Sequence, residues 1–422
     1  MRKVLIIAYV FPPIAYAGTH RTIRLSKYLS KLGYELHVLT IKIQKDLDND
    51  MNLLDKIKEK VYINRTETID VWRFYNKFKK RFIKSKFGRV TDRIISFVIE
   101  ILSQPDHMNL WIPFAVNTGA RVIKRHHIKL IYTSSPPHSQ LISGYLLKKM
   151  TGVPWIADLR DPIQFNIASA NWNRLEKTTN LLLEKLTLRN ADAIITNTKS
   201  ALNELRGKYQ KNNIFHISNS FDEDDFRKPI DKYSKFTISH VGTIFRFRNT
   251  EPLFQAVSTL ADEDVINSAS FVLKFVGFND NVLTKTIARY NLQSYIEIVS
   301  MVEHAKAIEI MEKSHMLLLI KGFNKNGLGQ VPGKLYEYIG SGNPIMYIGP
   351  EESEASEIIN NIENGYAVGN DVRKIKDAIH KEFSFFKSDG GQKRSLLADN
   401  IIRSKYTSIE MAKKTNEVFK SL

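Results

Sequence analysis

The 422 residues include no cysteine. Disulfides, thiolate metal sites and thiol nucleophiles are therefore excluded, and a reducing cytoplasm is the compartment that fits. Long apolar runs are missing too. The run from Val4 to Val10 is too short to span a bilayer and has no small-residue cleavage site behind it, so it reads as a buried first strand. No other stretch approaches the ~20 apolar residues of a spanning helix. No internal repeat or low-complexity tract is present. The patterns that accompany nucleic-acid binding, such as helix-turn-helix, zinc finger, RNP-type and KH-type, are absent, so no nucleic-acid partner is expected. A strand-end Asp-x-Asp that would present a divalent metal is also lacking. Asp222-Glu223-Asp224-Asp225 lies between two series of strands and reads as a solvated acidic turn, so neither a metal nor a resident cofactor is expected.

What is present is basic. Sixty-two Lys and Arg against 44 Asp and Glu give a net charge of +18, enough to draw the chain toward nucleic acid, anionic lipid headgroups or diphosphates, without choosing among them. An apolar fraction of 43% and a charged fraction of 25% are ordinary for folded protein. The length suits two α/β domains of roughly 200 residues each.

Apolar runs of four to eight residues alternate with longer amphipathic stretches, the pattern of parallel strands joined by crossover helices. The predicted strands are 4–10, 36–40, 69–74, 129–134, 154–158, 192–196 and 214–218, then 236–242, 270–277, 294–299, 315–320 and 344–348. The polar segment 222–235, with Pro229, separates the two series. The expected organisation is a first domain over 1–221, a linker over 222–235 and a second domain over 236–404, with a terminal helix over 405–422 packing back on the first.

Ligands of open α/β sheets bind at the carboxyl ends of strands, so the loops after strands matter most. After the first strand come Phe11-Pro12-Pro13 and then Gly18, followed by a helix carrying Arg21 and Arg24. Gly18 lets an anion approach a helix start, and Arg21 adds charge. Without the G-x-G-x-x-G spacing, a plain strand-to-helix turn has the same appearance. The stronger loop is Gly327-Leu328-Gly329-Gln330-Val331-Pro332-Gly333-Lys334, which opens the helix of Glu337. Pro332 suits a first helical turn, a diphosphate fits the helix start beside Lys334, and Glu337 can accept two hydroxyl hydrogen bonds from a ribose. The alternative for Glu337 is a solvated helix residue.

The run PGKLYEYIGSGNPI resembles the donor-binding signature of glycosyltransferase family 4 and its GT-B relatives, and further ordered segments resemble the same family: FPPIAYAGTHRTIRLSKYLSKLGYELHVLT, IYTSSPPHSQLISGYLLKKMTGVPWIADLRDP, LRNADAIITNTKSALNEL and HVGTIFRFRNTEPLFQAV. The resemblance implies a GT-B fold, two Rossmann-like doubly wound domains facing across a cleft, with the nucleotide sugar gripped by the second. It also implies sugar transfer with retention, no obligatory metal, and Glu337 on the ribose. The family's usual first glutamate falls here on Gly329, which shifts sugar contacts to backbone or Gln330. The usual Arg after the donor-domain glycine is Thr243, so Arg248, with Arg246 as competitor, is assigned to the diphosphate. Where relatives carry His-Asp, this chain has Arg160-Asp161. Asp161 is the first candidate to take the acceptor proton, its alternative being a helix N-cap before Pro162, and His138 is the second.

Between Tyr75 and Ile99, aromatic and aliphatic residues at helical spacing alternate with Lys77, Lys79, Lys80, Arg81, Lys84 and Lys86. Residues 74–99 are therefore expected to meet an anionic membrane surface, and an insertion helix packed on its own domain is the alternative. The expected protein is a peripheral glycosyltransferase on the inner face of the cytoplasmic membrane. It would transfer from a nucleotide sugar, UDP-sugar favoured, to a glycan or lipid-linked acceptor in polysaccharide biosynthesis. A GT-B epimerase or hydrolase and a non-catalytic nucleotide-sugar-binding scaffold are the competing readings.

Overall fold

The computed structural model describes residues 2–16, 18–44, 49–57, 60–69, 95–164, 173–226, 230–244, 249–277, 281–323, 328–389 and 399–422. The chain forms two compact units, Met1–Ser218 with Met411–Leu422, and Asn219–Glu410.

The first unit is built on seven parallel strands: β1 (Lys3–Ile7), β2 (Glu35–Ile41), β3 (Val61–Thr66), β4 (Leu130–Ser135), β5 (Trp155–Leu159), β6 (Ala193–Thr196) and β7 (Ile214–His216). Their order is β3-β2-β1-β4-β5-β6-β7. Alternate side chains of a strand point to opposite faces, and here both faces are covered, which is why the strands are apolar throughout. Leu5, Ile7, Leu39, Ile131 and Trp155 pack on one side with Trp111, Ala115 and Leu141, which belong to or adjoin the helices α3 (Ile112–His126) and α4 (Gln140–Thr151). Val4, Ile6, Leu36, Val38 and Tyr132 pack on the other side with Leu25 and Leu29 of α1 (Thr19–Lys31). On that side lie also Met411, Ala412, Val418 and Phe419 from the C-terminal helix Ser408–Lys420. Phe419 meets Tyr34 edge-on at 5.5 Å between ring centres. Helix α2 (95–102), α5 (Arg174–Asn190) and α6 (Lys199–Tyr209) complete the unit. The third strand lies at Val61–Thr66, ahead of the predicted 69–74. As a half-exposed edge strand it carries Asn64 and Arg65 and lacks the apolar run that marks its neighbours. Residues 70–94 lie outside the described residues.

The second unit holds six parallel strands in the order β10-β9-β8-β11-β12-β13: β8 (Phe236–Val241), β9 (Phe271–Val276), β10 (Ile296–Val299), β11 (Met316–Ile320), β12 (Ile345–Ile348) and β13 (Gly365–Ala367). The last is only three residues long, too short for a periodicity, and was not predicted. Its helices are α7 (Glu251–Asp262), α8 (Asn281–Arg289), α9 (His304–Lys313), α10 (Lys334–Ser341), α11 (Glu354–Asn360), α12 (Val372–Asp389) and α13 (Asp399–Lys405), with the C-terminal helix numbered α14.

The acidic segment is not solvated as the sequence suggests. Asp222 is buried and its carboxylate accepts from the Asp224 amide at 3.2 Å, while Glu223 accepts from the Ser408 amide at 3.2 Å. Residues 230–235, expected in the linker, are tied to the second unit. The Lys232 ammonium donates to the Glu312 and Ser314 carbonyls at 2.8 and 2.6 Å and to Asn343 Oδ1 at 2.6 Å.

Gly340 of α10 faces the edge-to-face pair Phe221 and Phe226. A Cβ there would lie 2.6 Å from the Phe226 ring and 2.8 Å from the Phe221 ring. Gly340→Ala is expected to destabilise the second unit by about 1–3 kcal/mol through overpacking, read as a lowered denaturation midpoint; an unchanged midpoint would contradict this packing.

Candidate functional site

In the first unit the chemistry-bearing residues gather at the carboxyl ends of β1, β4 and β5. Their centre is Arg160, immediately after β5. Its amide donates to the Ser135 carbonyl at 2.8 Å, its Nε donates to the same oxygen at 3.2 Å, and its Nη2 donates to the Pro136 carbonyl. The guanidinium also fills the space beside Gly18, where a Cβ would lie 1.8 Å from Nη1. Gly18 has an ordinary helical φ of −71°. Glycine is needed there for the close approach of Arg160 and not for a turn.

His138 stands at the end of the loop after β4, with Nδ1 2.5 Å from Ser135 Oγ. Burial, reinforced by the Arg160 charge, pushes its imidazole down to about 4, so it is neutral at pH 7 and a weak base. Asp161 moves the other way. Burial raises its carboxyl above the usual range, and the neighbouring Arg160 only partly opposes this. Desolvation thus outweighs the pull of the adjacent guanidinium toward the ionised form. A raised carboxyl is the better matched proton acceptor near neutral pH. The N-cap alternative falls away, since residues 160–164 form bends and no described helix starts there.

Arg21 has a different part from the one its position in the sequence suggests. It is buried, and Nε and Nη2 each donate to the Asp158 carboxylate at 2.9 Å. Nη1 donates to the Ser218 carbonyl at 2.9 Å and Nη2 to the Ile217 carbonyl at 3.1 Å, and Nη1 also meets the Met411 sulfur at 3.8 Å. All five N–H groups of a guanidinium are accounted for inside the unit, which leaves Arg21 supporting the site and not gripping an anion.

In the second unit the corresponding edge belongs to β8 and β11. The Tyr338 hydroxyl on α10 accepts from the Val241 amide at 2.9 Å and reaches the Leu318 carbonyl at 3.3 Å, so α10 is pinned to the ends of both strands. This brings Lys334, the first residue of α10, against Gly242. The ammonium lies 2.1 Å from where a Gly242 Cβ would be, at a backbone φ of +127°. One turn on, Glu337 Oε1 lies 3.2 Å from His304 Nε2 at the start of α9, and both side chains are mostly shielded, at 14% and 13% exposure. Glu337 is thus not the solvated helix residue of the alternative reading. Gly333 precedes Lys334 with φ −57°, and a Cβ there would meet nothing within 4 Å. The fold does not require glycine at 333; it leaves open space at the helix start.

Gln330 is held by its carbonyl, which accepts from the Lys321 ammonium. Lys321 is buried at the end of β11, and burial pushes its amine down to about 8 against the pull of Glu354. Gly329 adjoins this anchored residue, half-buried in a turn. Arg246 and Arg248 lie outside the described residues. Sequence reasoning missed His304 and Lys321 as participants. A cation directly after an apolar strand, as in Leu318-Leu319-Ile320-Lys321, is the signal that marks the second of these.

Residues 18–225 match the family model of Glycosyltransferase Family 4. Among solved structures, a glycosyltransferase from Rickettsia africae ESF-5 aligns at 15% identity with a TM-score of 0.64, covering 100% of this chain and 98% of that one. HepE of Anabaena, solved with UDP-glucose, aligns at 13% identity and 0.64 over 100% of both chains. A variant of TarM from S. aureus, solved with fondaparinux, alpha-GlcNAc-glycerol and UDP, aligns at 12% identity and 0.63, covering 99% and 100%. No curated protein matches the sequence. At these identities the structural likeness establishes the fold. Fold and family match together define the class, a GT-B glycosyltransferase. More narrowly, the part of the chain that resembles Glycosyltransferase Family 4 is residues 18–225, most of the first unit.

Because the His138 pKa in the folded chain lies below its unfolded value of about 6.5, the unfolded chain takes up a proton that the native state refuses as pH falls from 6.5 toward 4. Stability is lost across that window. His138→Asn is expected to show a shallower fall in thermal midpoint between pH 6.5 and 4 than the parent. Equal slopes would contradict the buried, neutral imidazole.

Proposed function

We propose that this glycosyltransferase takes its sugar from a nucleotide sugar, with a UDP-sugar favoured, and that α10 of the second unit holds the nucleotide. The supporting observation is the single helical turn that carries open space at Gly333, the Lys334 ammonium against Gly242 and the shielded Glu337 beside His304. A diphosphate placed in the Gly333 space meets the positive end of the helix macrodipole and the Lys334 ammonium together. The same groups would stabilise the charge that grows on the departing nucleoside diphosphate, with no metal needed for that step. Glu337 accepts from the ribose hydroxyls, and the solved complexes of HepE with UDP-glucose and of TarM with UDP are consistent with that choice of donor. Transfer proceeds with retention, and Gln330 and the backbone at Gly329 contact the sugar. Asp161 orients the acceptor hydroxyl or receives its proton, with His138 the weaker candidate.

The acceptor in this reading is a lipid-linked sugar or a growing glycan of a polysaccharide, met at an anionic membrane surface on the cytoplasmic side. Among the described residues no helix is long and apolar enough to cross a membrane. Most of the basic stretch 74–99 lies outside the described residues. Its described end, α2, exposes Ile95, Phe97, Val98, Ile101 and Leu102. Asn173, the N-cap of α5, donates to Glu100 of α2 at 2.6 Å, and α5 exposes Leu175 and Leu182. Apolar side chains bordering a basic stretch are what an interfacial anchor needs.

Two substitutions separate binding from folding. Glu337→Ala is expected to weaken UDP binding by about two orders of magnitude, the loss of two hydrogen bonds to a charged acceptor, with little change in stability. Gly333→Ala, at a helical φ and facing open space, is expected to preserve or slightly raise stability and to weaken UDP binding at least tenfold by occupying the diphosphate space. Calorimetry with both variants checks this, and unchanged affinity in both would remove α10 as the nucleotide site. For the membrane reading, Phe97→Ser with Leu102→Ser should release the protein from anionic liposomes in a flotation assay; undiminished flotation would contradict it. Release of nucleoside diphosphate only when a membrane extract is added identifies transfer, whereas product from the donor alone identifies an epimerase or hydrolase.

A further inference from the structure

At the amino-terminal edge of the first sheet, opposite the edge that carries Arg160 and His138, three side chains converge that the transfer chemistry does not use. Glu35 opens β2 and His37 stands two residues on, on the same face of the strand, with Nε2 3.0 Å from Glu35 Oε1. His126, the last residue of α3, lies across the His37 ring at 4.2 Å between centres. One ligand atom from each of the three residues falls within 4.8 Å of the other two. His37 is 2% exposed, and its Nδ1 has no hydrogen-bond partner.

We propose that Glu35, His37 and His126 bind one divalent transition-metal ion of the zinc class, tying the start of β2 to the end of α3. Two imidazole nitrogens and one carboxylate oxygen make a three-ligand set that a water molecule completes to a tetrahedron, and this set favours zinc and its borderline neighbours over magnesium or calcium. Metal–ligand bonds of about 2.0–2.2 Å require the ligand atoms to stand roughly 3.3–3.5 Å apart. The Glu35–His37 separation is already near that value, and a rotation of His126, at the half-buried end of a helix, supplies the rest.

Two cations work against the ion. The Lys3 ammonium lies 3.1 Å from Glu35 Oε1, and Arg125 adjoins His126. Lys3 is a third exposed and can swing into solvent, but the residual repulsion sets the affinity near micromolar and not in the range of closed structural zinc sites. The competing arrangement is a plain ring stack, in which Tyr62 also stacks on His37, at 5.0 Å and 23°.

Titration of Zn²⁺ into the untagged, chelator-stripped full chain tests the proposal, with Co²⁺ as a spectroscopic probe. One ion per chain is expected at micromolar affinity, together with a visible Co²⁺ band of tetrahedral intensity and a raised thermal midpoint. His126→Ala and Glu35→Gln should each weaken Zn²⁺ at least tenfold and abolish the Co²⁺ band. His126 is half-buried at a helix end, so its variant is expected to keep the parent's near-ultraviolet circular dichroism. Absence of binding, or binding equally strong in both variants, overturns the proposal and leaves the ring stack. UDP affinity should be the same with and without Zn²⁺, so failure of the metal site and failure of the nucleotide site are read separately.

Discussion

The bidentate pair between Arg21 and Asp158 fixes the geometry of the first unit's functional edge. Asp158 lies within β5, with none of its surface exposed, and Arg21 lies one turn into α1, so the pair locks that helix to the centre of the sheet. Burial by itself would depress the Arg21 guanidinium, yet Asp158 and Tyr132 together more than offset this and hold it above its ordinary range. Buried ion pairs add little net stability, whereas deleting one partner strands a charge at a cost of several kcal/mol. The pair therefore acts through position. With α1 locked, Gly18 falls against Arg160, and Arg160 in turn binds the Ser135 and Pro136 carbonyls that shape the loop of His138.

A hydroxyl plays the corresponding part in the second unit. Tyr338 joins α10 to the ends of β8 and β11, and every feature of the proposed nucleotide site follows from where α10 begins. Lys334 lands on Gly242 because the helix starts there, and Glu337 is shielded because α9 presents His304 at the same level. In both units a long-range polar contact positions the first turn of a helix at the carboxyl edge of a parallel sheet. That turn supplies the positive end of the helix dipole, which favours an anion.

Much of this was legible in the sequence. Apolar strands buried on both faces stand out as unbroken runs, so two series of parallel strands could be read, and Pro332 with Gly340 to Gly342 bracketed α10. The edge strand β3 was misplaced because its polar residues break the run, and β13 was missed because it is too short. The role of Arg21 was not legible. Its partner lies 137 residues away, and a basic residue at a helix start looks the same whether it meets a ligand or a buried carboxylate. His304 escaped for the same reason, being 33 residues from Glu337 with no spacing that links them. The direction of the Asp161 shift depends on how much protein surrounds it, which no local motif encodes.

Hydrogen–deuterium exchange of the full chain with and without UDP tests most directly whether α10 is the nucleotide site. Protection is predicted over 328–341 and at 241–244, where Gly333, Lys334, Glu337 and Gly242 stand together. Protection confined to the first unit, or none over 328–341 at saturating UDP, would contradict it.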